Sequence, residues 1–159
     1  MIEEIKRKQE QIVLKDHLDS MICSDLFFID EKIKTRKEAI DMLCQKLEKF
    51  NYSEKDYIYH VLKREDLSST AFGNVAIPHS IKMIGKKTGM AVLINPNGIN
   101  WGDGRVNIVL LLCIHPKDKK IFHEFFDNIS DILTGELAVR NLMNVTNYKD
   151  FKKKILMYM

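Results

Sequence analysis

The sequence predicts an α/β protein, a mixed sheet of about four or five strands sandwiched between helices, and three observations carry that expectation. Of the 7 glycines and 3 prolines, all but Gly135 lie between Gly73 and Pro116. Residues that break helices are therefore confined to the middle, and strands and tight loops belong there. On both sides, apolar residues recur at helical spacing. The run Ile108 to Ile114 is apolar on both parities, as expected of a central strand covered on both faces. A chain of 159 residues suits one such layered domain.

Taken in order, residues 1–20 are charged and weakly periodic, with Ile2, Ile5, Ile12 and Val13, and read either as a linker or as a docking helix. Residues 21–159 form the domain. Leu26–Ile29 is a short strand. Thr35-Arg-Lys-Glu38 is a capping-box pattern, followed by Ile40, Leu43, Cys44 and Leu47 on one helical face. Ser53-Glu-Lys-Asp56 starts a second helix whose apolar positions Tyr57, Ile58, Val61 and Leu62 end near Arg64. Strands are expected at Val75–Pro78, Gly89–Asn95 and Arg105–Ile114. Asn95-Pro-Asn-Gly98 reads as a turn, with Ile99–Trp101 returning as a hairpin arm. Asp118 is a candidate cap for a helix carrying Ile121, Phe122, Phe125, Ile129, Ile132 and Leu133. Glu136–Val145 is the next helix, and Asn147 caps the last.

Charge and cysteine usage exclude several classes. The net charge of +3 is accounted for by Lys149, Lys152, Lys153 and Lys154 against Asp150 near the C-terminus, a helix tip and not a nucleic-acid surface. Cys23, Cys44 and Cys113 form no CxxC pair, which argues against disulfides or a zinc ribbon and for a reducing cytoplasm. The longest apolar run, Ile108–Ile114, is too short to cross a membrane. A metal site from Cys113, His115 and His123 repeats no ligand pattern, so neither metal nor cofactor is expected.

Chemistry concentrates in one loop. Between Leu67 and Gly102 there is no Asp or Glu, although the average acid content would place roughly five there. The stretch holds Ser68-Ser-Thr-Ala-Phe-Gly-Asn-Val-Ala-Ile-Pro-His79 and the lysines Lys82, Lys86 and Lys87. Hydroxyls, backbone N–H groups in a glycine turn and nearby cations are what a phosphate needs. A neutral imidazole is a nitrogen nucleophile near pH 7. The same residues also suit a structural turn with a histidine at a strand end.

The run Arg64-Glu65, Ser69-Thr70, Gly73-Asn74, Ala76-Ile77-Pro78-His79 closely resembles the signature of fructose/mannitol-type (type 2) enzyme IIA domains of the bacterial sugar phosphotransferase system (PTS), and the likeness covers about residues 22–158. Ile99-Asn-Trp101 lies where that family has a short strand. The resemblance implies that His79 accepts a phosphoryl group from the phosphohistidine of the carrier HPr. It also implies that Arg64 neutralises phosphate charge, with Thr70, Ser69 and backbone donors near Gly73 assisting. Phe72, Ile77 and Ile81 are candidates for an apolar rim that holds the partner protein.

Transport-type members carry a second active-site histidine. Gapless counting puts that position on Phe122, with His123 one residue on, about 100° around a helix. His123 is then either that histidine, after a one-residue gap, or a solvated position between Phe122 and Phe125. The pattern Phe122-His-Glu-Phe-Phe-Asp127 resembles the subgroup at the C-terminus of PTS-regulated transcriptional activators and antiterminators. There the domain senses phosphorylation beside PTS-regulation domains and makes no nucleic-acid contact itself. The alternatives are a free-standing enzyme IIA that passes phosphate to a transporter IIB cysteine, and a non-catalytic binding module of the same fold. The sugar is not readable from such a domain.

Overall fold

The computed structural model describes residues 1–159, the side chains of residues 10–12 and 14 excepted. Six helices, α1 (Ile2–Met21), α2 (Arg36–Lys49), α3 (Tyr57–Leu67), α4 (Lys119–Leu133), α5 (Glu136–Met143) and α6 (Tyr148–Met157), surround five strands, β1 (Phe27–Ile29), β2 (Ala71–Phe72), β3 (Val75–Ala76), β4 (Gly89–Asn100) and β5 (Arg105–Cys113). The sheet is mixed, in the order β1-β4-β5-β3-β2. β1 runs parallel to β4 and β3 parallel to β5, while β4–β5 and β2–β3 are antiparallel.

The both-parity apolar run does what it predicts, because β5 lies in the middle of the sheet. Ile108, Leu110, Leu112 and Ile114 face one core, with α1, α4, α5 and α6. Val109, Leu111 and Cys113 face the other, with α2 and α3. Alternation of side chains across the pleat thus divides the protein into two cores separated by one sheet.

Capping chemistry sets the helix starts. The Thr35 hydroxyl accepts from the Glu38 amide at 3.2 Å and donates to the Glu38 carboxylate. Asn147 accepts from the Asp150 amide at 2.8 Å. Asp118 departs from expectation: its carboxylate takes the Thr88 hydroxyl and so ties the start of α4 to the β4 approach. α3 continues to Leu67, past the expected end near Arg64, because its inner stripe of Tyr57 and Val61 extends one step further to a buried Glu65.

The Asn95-Pro-Asn-Gly98 turn is corrected. β4 runs straight through it to Asn100, and residues 95–98 bulge opposite Asn107 between the pairs Ile94↔Ile108 and Ile99↔Val106. Asn107 holds the bulge by donating its side-chain amide to the carbonyls of Asn95 (3.0 Å) and Pro96 (3.2 Å). Gly98 takes the φ of +88° that the bulge needs. The hairpin instead closes at Trp101, whose amide donates to the Gly104 carbonyl.

Residues 1–20 are helical over almost their whole length. They are most of α1, whose last turn buries Leu18 and Met21 in the α4–α6 core, and Asp19 pairs with Lys152 at 2.9 Å. Toward its start α1 leaves Ile2, Ile5 and Val13 exposed. Ile12 lies outside the described side chains.

Deleting the fully buried ring of Phe125 by a Phe125→Ala change should cost about 3–5 kcal/mol, and Thr35→Ala about 1 kcal/mol through the lost cap. Urea unfolding measures both.

Candidate functional site

The hydroxyl-rich loop is a hairpin. β2 and β3 pair as Ala71↔Ala76 and Phe72↔Val75, joined by Gly73 at φ +55° and Asn74. Sequence reading missed β2, although Gly-Asn between short apolar pairs is a recognised two-residue turn. β3 leads the chain along β5, where the Leu112 amide donates to the Pro78 carbonyl at 2.9 Å. Val75, Ile77 and His79 then point to the same side, toward α4.

This parity corrects the placing of Ile77 at the rim. Its side chain is fully buried, in a strand extension covered by helices on both faces. What it offers the site is its carbonyl, 2.9 Å from Nδ1 of His79. A carbonyl can only accept, so Nδ1 carries the proton and Nε2 keeps its lone pair. Burial pushes the His79 imidazole below its ordinary value of 6.5. The Ile77 carbonyl opposes that shift, Arg64 adds to it, and Glu65 opposes it. The half-buried ring meets Phe122 and Phe126 of α4, with both centroids at 5.3 Å.

Arg64, on the last turn of α3, donates from Nη1 to the Ser68 carbonyl at 2.8 Å, and its charge reaches His79. Thr70 and Ser69 turn toward Glu65. The Thr70 amide and hydroxyl donate to its two oxygens at 2.9 and 2.8 Å, and the Ser69 hydroxyl lies 3.4 Å away. Trp101 Nε1 donates to the same carboxylate at 2.7 Å. Glu65 is the buried charged residue among those described, 1% exposed, and it accepts from every one of these donors, the pattern of an ionised carboxylate. The acid-free stretch is thus served by an acid from just outside it. The available signal was that Glu65 stands four residues after Val61 on an otherwise apolar stripe.

The remaining candidates separate. Ile81 is 54% exposed two residues beyond His79. Phe72 is half-buried at the opposite end of β3, in a cleft of about 480 Å³ with Leu133, Val139 and Met143. His123 is exposed, and its ring packs on Phe122 at 5.4 Å while Phe122 takes the place against His79. His115 Nδ1 accepts from the Lys117 amide, and Cys113 Sγ donates to the Tyr52 carbonyl. Among the described residues, no group of three or more His, Cys, Asp or Glu side chains is arranged to hold a metal, and no helix is long and apolar enough to cross a membrane.

This architecture is that of an enzyme IIA domain. It superposes on the mannitol IIA of Escherichia coli, solved in complex with its phosphorylated IIB, with a TM-score of 0.74 and 23% identity, covering 87% of this chain and 98% of that one. The model of the family "Phosphoenolpyruvate-dependent sugar phosphotransferase system, EIIA 2" matches residues 20–157, and the chain belongs to that family. Among curated relatives, the "Probable licABCH operon regulator" of Bacillus subtilis is 30% identical over 147 residues, 89% of this chain and 23% of that protein. The transcriptional regulator ManR of the same organism is 28% identical over 127 residues, 79% of this chain and 20% of its own length. The chain thus spans less than a quarter of the length of these two regulators.

Titrating His79 by NMR should give a midpoint below 6.5. The folded state then binds fewer protons than the unfolded one, so this group's share of stability is complete above pH 6.5 and is lost as pH falls through the folded midpoint. Trp101→Phe removes a hydrogen bond to a buried charge and should cost about 1.5–3 kcal/mol in urea unfolding.

Proposed function

We propose that this domain accepts a phosphoryl group on Nε2 of His79 from the phosphohistidine of HPr, and serves as the phosphorylation sensor of a cytoplasmic transcriptional regulator. The observation that carries the first part is the Nδ1–Ile77 carbonyl contact, which points the lone pair at Nε2. Burial supports it, since the ring stays neutral and nucleophilic at pH 7. In the transfer, Nε2 forms the new nitrogen–phosphorus bond as the donor's breaks, the donor imidazole leaves, and the His79 Nδ1 proton remains in place. Positioning and charge stabilisation suffice for such an exchange between similar nitrogens, so no metal or cofactor is called for.

Arg64 supplies a forked donor toward the phosphoryl oxygens. Ser69 and Thr70 contribute differently from the sequence expectation. With Thr70's hydroxyl donated to Glu65, their part is to hold the loop, while the backbone N–H groups near Gly73 stand at the turn, at the far end of β3 from His79. Ile81 belongs to the rim that meets HPr. The sensor assignment is supported by the likeness to the two regulators. The functional unit is residues 21–159, with α1 docked against it. A second reading, relay to a IIB cysteine, is favoured by the likeness in fold to a IIA solved with phosphorylated IIB.

Incubation with phosphorylated HPr should label the protein with an acid-labile, base-stable phosphate. His79→Ala should remove the label, and Arg64→Ala should slow labelling about 100-fold. Labelling of the His79→Ala protein would overturn the assignment. Subsequent addition of IIB decides between sensor and relay: loss of label to IIB supports relay, and retention supports the sensor.

A further inference from the structure

We propose that Phe122 and Phe126 are positioning residues for the phosphorylated state of His79, holding the imidazole and stabilising the positive ring that phosphorylation creates, so that the phosphoryl group is retained. This rests on His79 being the acceptor.

The two phenylalanines stand one helical turn apart on α4 and present one stripe to the sheet. The three rings form a closed triangle. His79 lies 5.3 Å from each phenylalanine, tilted by 54° to Phe122 and 68° to Phe126, and the phenylalanines lie 5.6 Å from each other. Phe122 is buried, 5% exposed, and anchored in the core beside Phe125, while Phe126 packs at its margin. With Nδ1 tied to the Ile77 carbonyl, the imidazole is held from its edge and from its sides at once.

The charge balance of the transfer gives this arrangement a chemical consequence. Before transfer the ring is neutral, with hydrogen on Nδ1 and a lone pair on Nε2. After Nε2 has bonded to phosphorus and Nδ1 has kept its proton, the ring carries positive charge and the phosphoryl oxygens carry negative charge. Burial alone opposes a charged ring. An aromatic ring attracts a cation lying within about 6 Å of its centroid, and more strongly where water is excluded. Both phenylalanines meet that distance, and the Ile77 carbonyl faces the remaining N–H. When the nitrogen–phosphorus bond breaks, the positive charge disappears from the ring and that attraction is lost. Phe122 and Phe126 therefore favour the phosphorylated ground state over the transition state for losing phosphate. The result is a domain that holds its phosphoryl group, which suits a sensor.

The test compares wild type with Phe122→Leu, Phe126→Leu, the double variant and Phe126→Tyr, each phosphorylated by HPr and then separated from it. Leucine keeps an apolar side chain but removes the aromatic face, and tyrosine restores the face. The half-life of the phosphohistidine should fall about threefold in each leucine variant and about tenfold in the double variant. Equilibrium labelling should fall with it, and Phe126→Tyr should behave as wild type. Folded leucine variants with the wild-type half-life would overturn the proposal. So would a Phe126→Tyr half-life as short as that of Phe126→Leu, which would show that an aromatic face at this position does not retain the phosphoryl group. If Phe122→Leu does not fold, Phe126→Leu, altered at the core margin, decides the question alone. Failure of the acceptor assignment is distinguishable, because it shows as label that survives His79→Ala.

Discussion

The site depends on one buried carboxylate. Glu65 ends the inner stripe of α3, and its two oxygens gather the Thr70 amide, the Thr70 and Ser69 hydroxyls and the Trp101 indole. A charge in that position is tolerable only because these donors replace the water it has lost. In satisfying it, the fold ties the end of α3 and the loop that follows it to the corner of the β4–β5 hairpin, 36 residues on from Glu65. Arg64, one residue before Glu65, is carried to the edge of the sheet by the same helix.

The sheet supplies the other half of the arrangement. Because β5 is covered on both sides, parity along the β3 extension decides whether a residue faces α3 or α4. Ile77 and His79 share a parity, so the same alternation that buries Ile77 delivers His79 to the aromatic pair on α4. The site thus joins contributions from both layers. Cation and carboxylate come from α3 on one side, and apolar rings from α4 on the other. Between them stands His79, whose burial favours the neutral ring.

Much of this was legible from the residues. The capping patterns at Thr35 and Asn147 located two helices, since a cap is decided within a few residues. The Arg64–His79 run carries the family signature, and the chain belongs to that family. The hydroxyls of that run suit a phosphate on local grounds, because nothing nearby in the sequence shows that Thr70 is committed to Glu65. Nearness in sequence groups Phe72 and Ile77 with Ile81 as a rim. The strand sends Ile77 inward and leaves Phe72 at its far end, and only Ile81 remains exposed beside His79. The Asn-Pro-Asn-Gly turn failed for a similar reason. Its local preference is outweighed by the hydrogen bonds that Asn107, across the sheet, makes to a bulge.

The α/β class, the two-sided central strand and the helix starts at Thr35 and Asn147 are written in the order of the amino acids alone, as is the family motif that holds Arg64 and His79, because periodicity, capping and a contiguous motif are properties of neighbouring residues. The folded arrangement settles which ring nitrogen of His79 carries the lone pair, that Glu65 organises the loop, and that Phe122 in place of His123 faces His79. Each of these is fixed by a contact between segments distant in the chain, or by the rotation of a helix about its axis, and such relations exist only once the two layers have closed on the sheet.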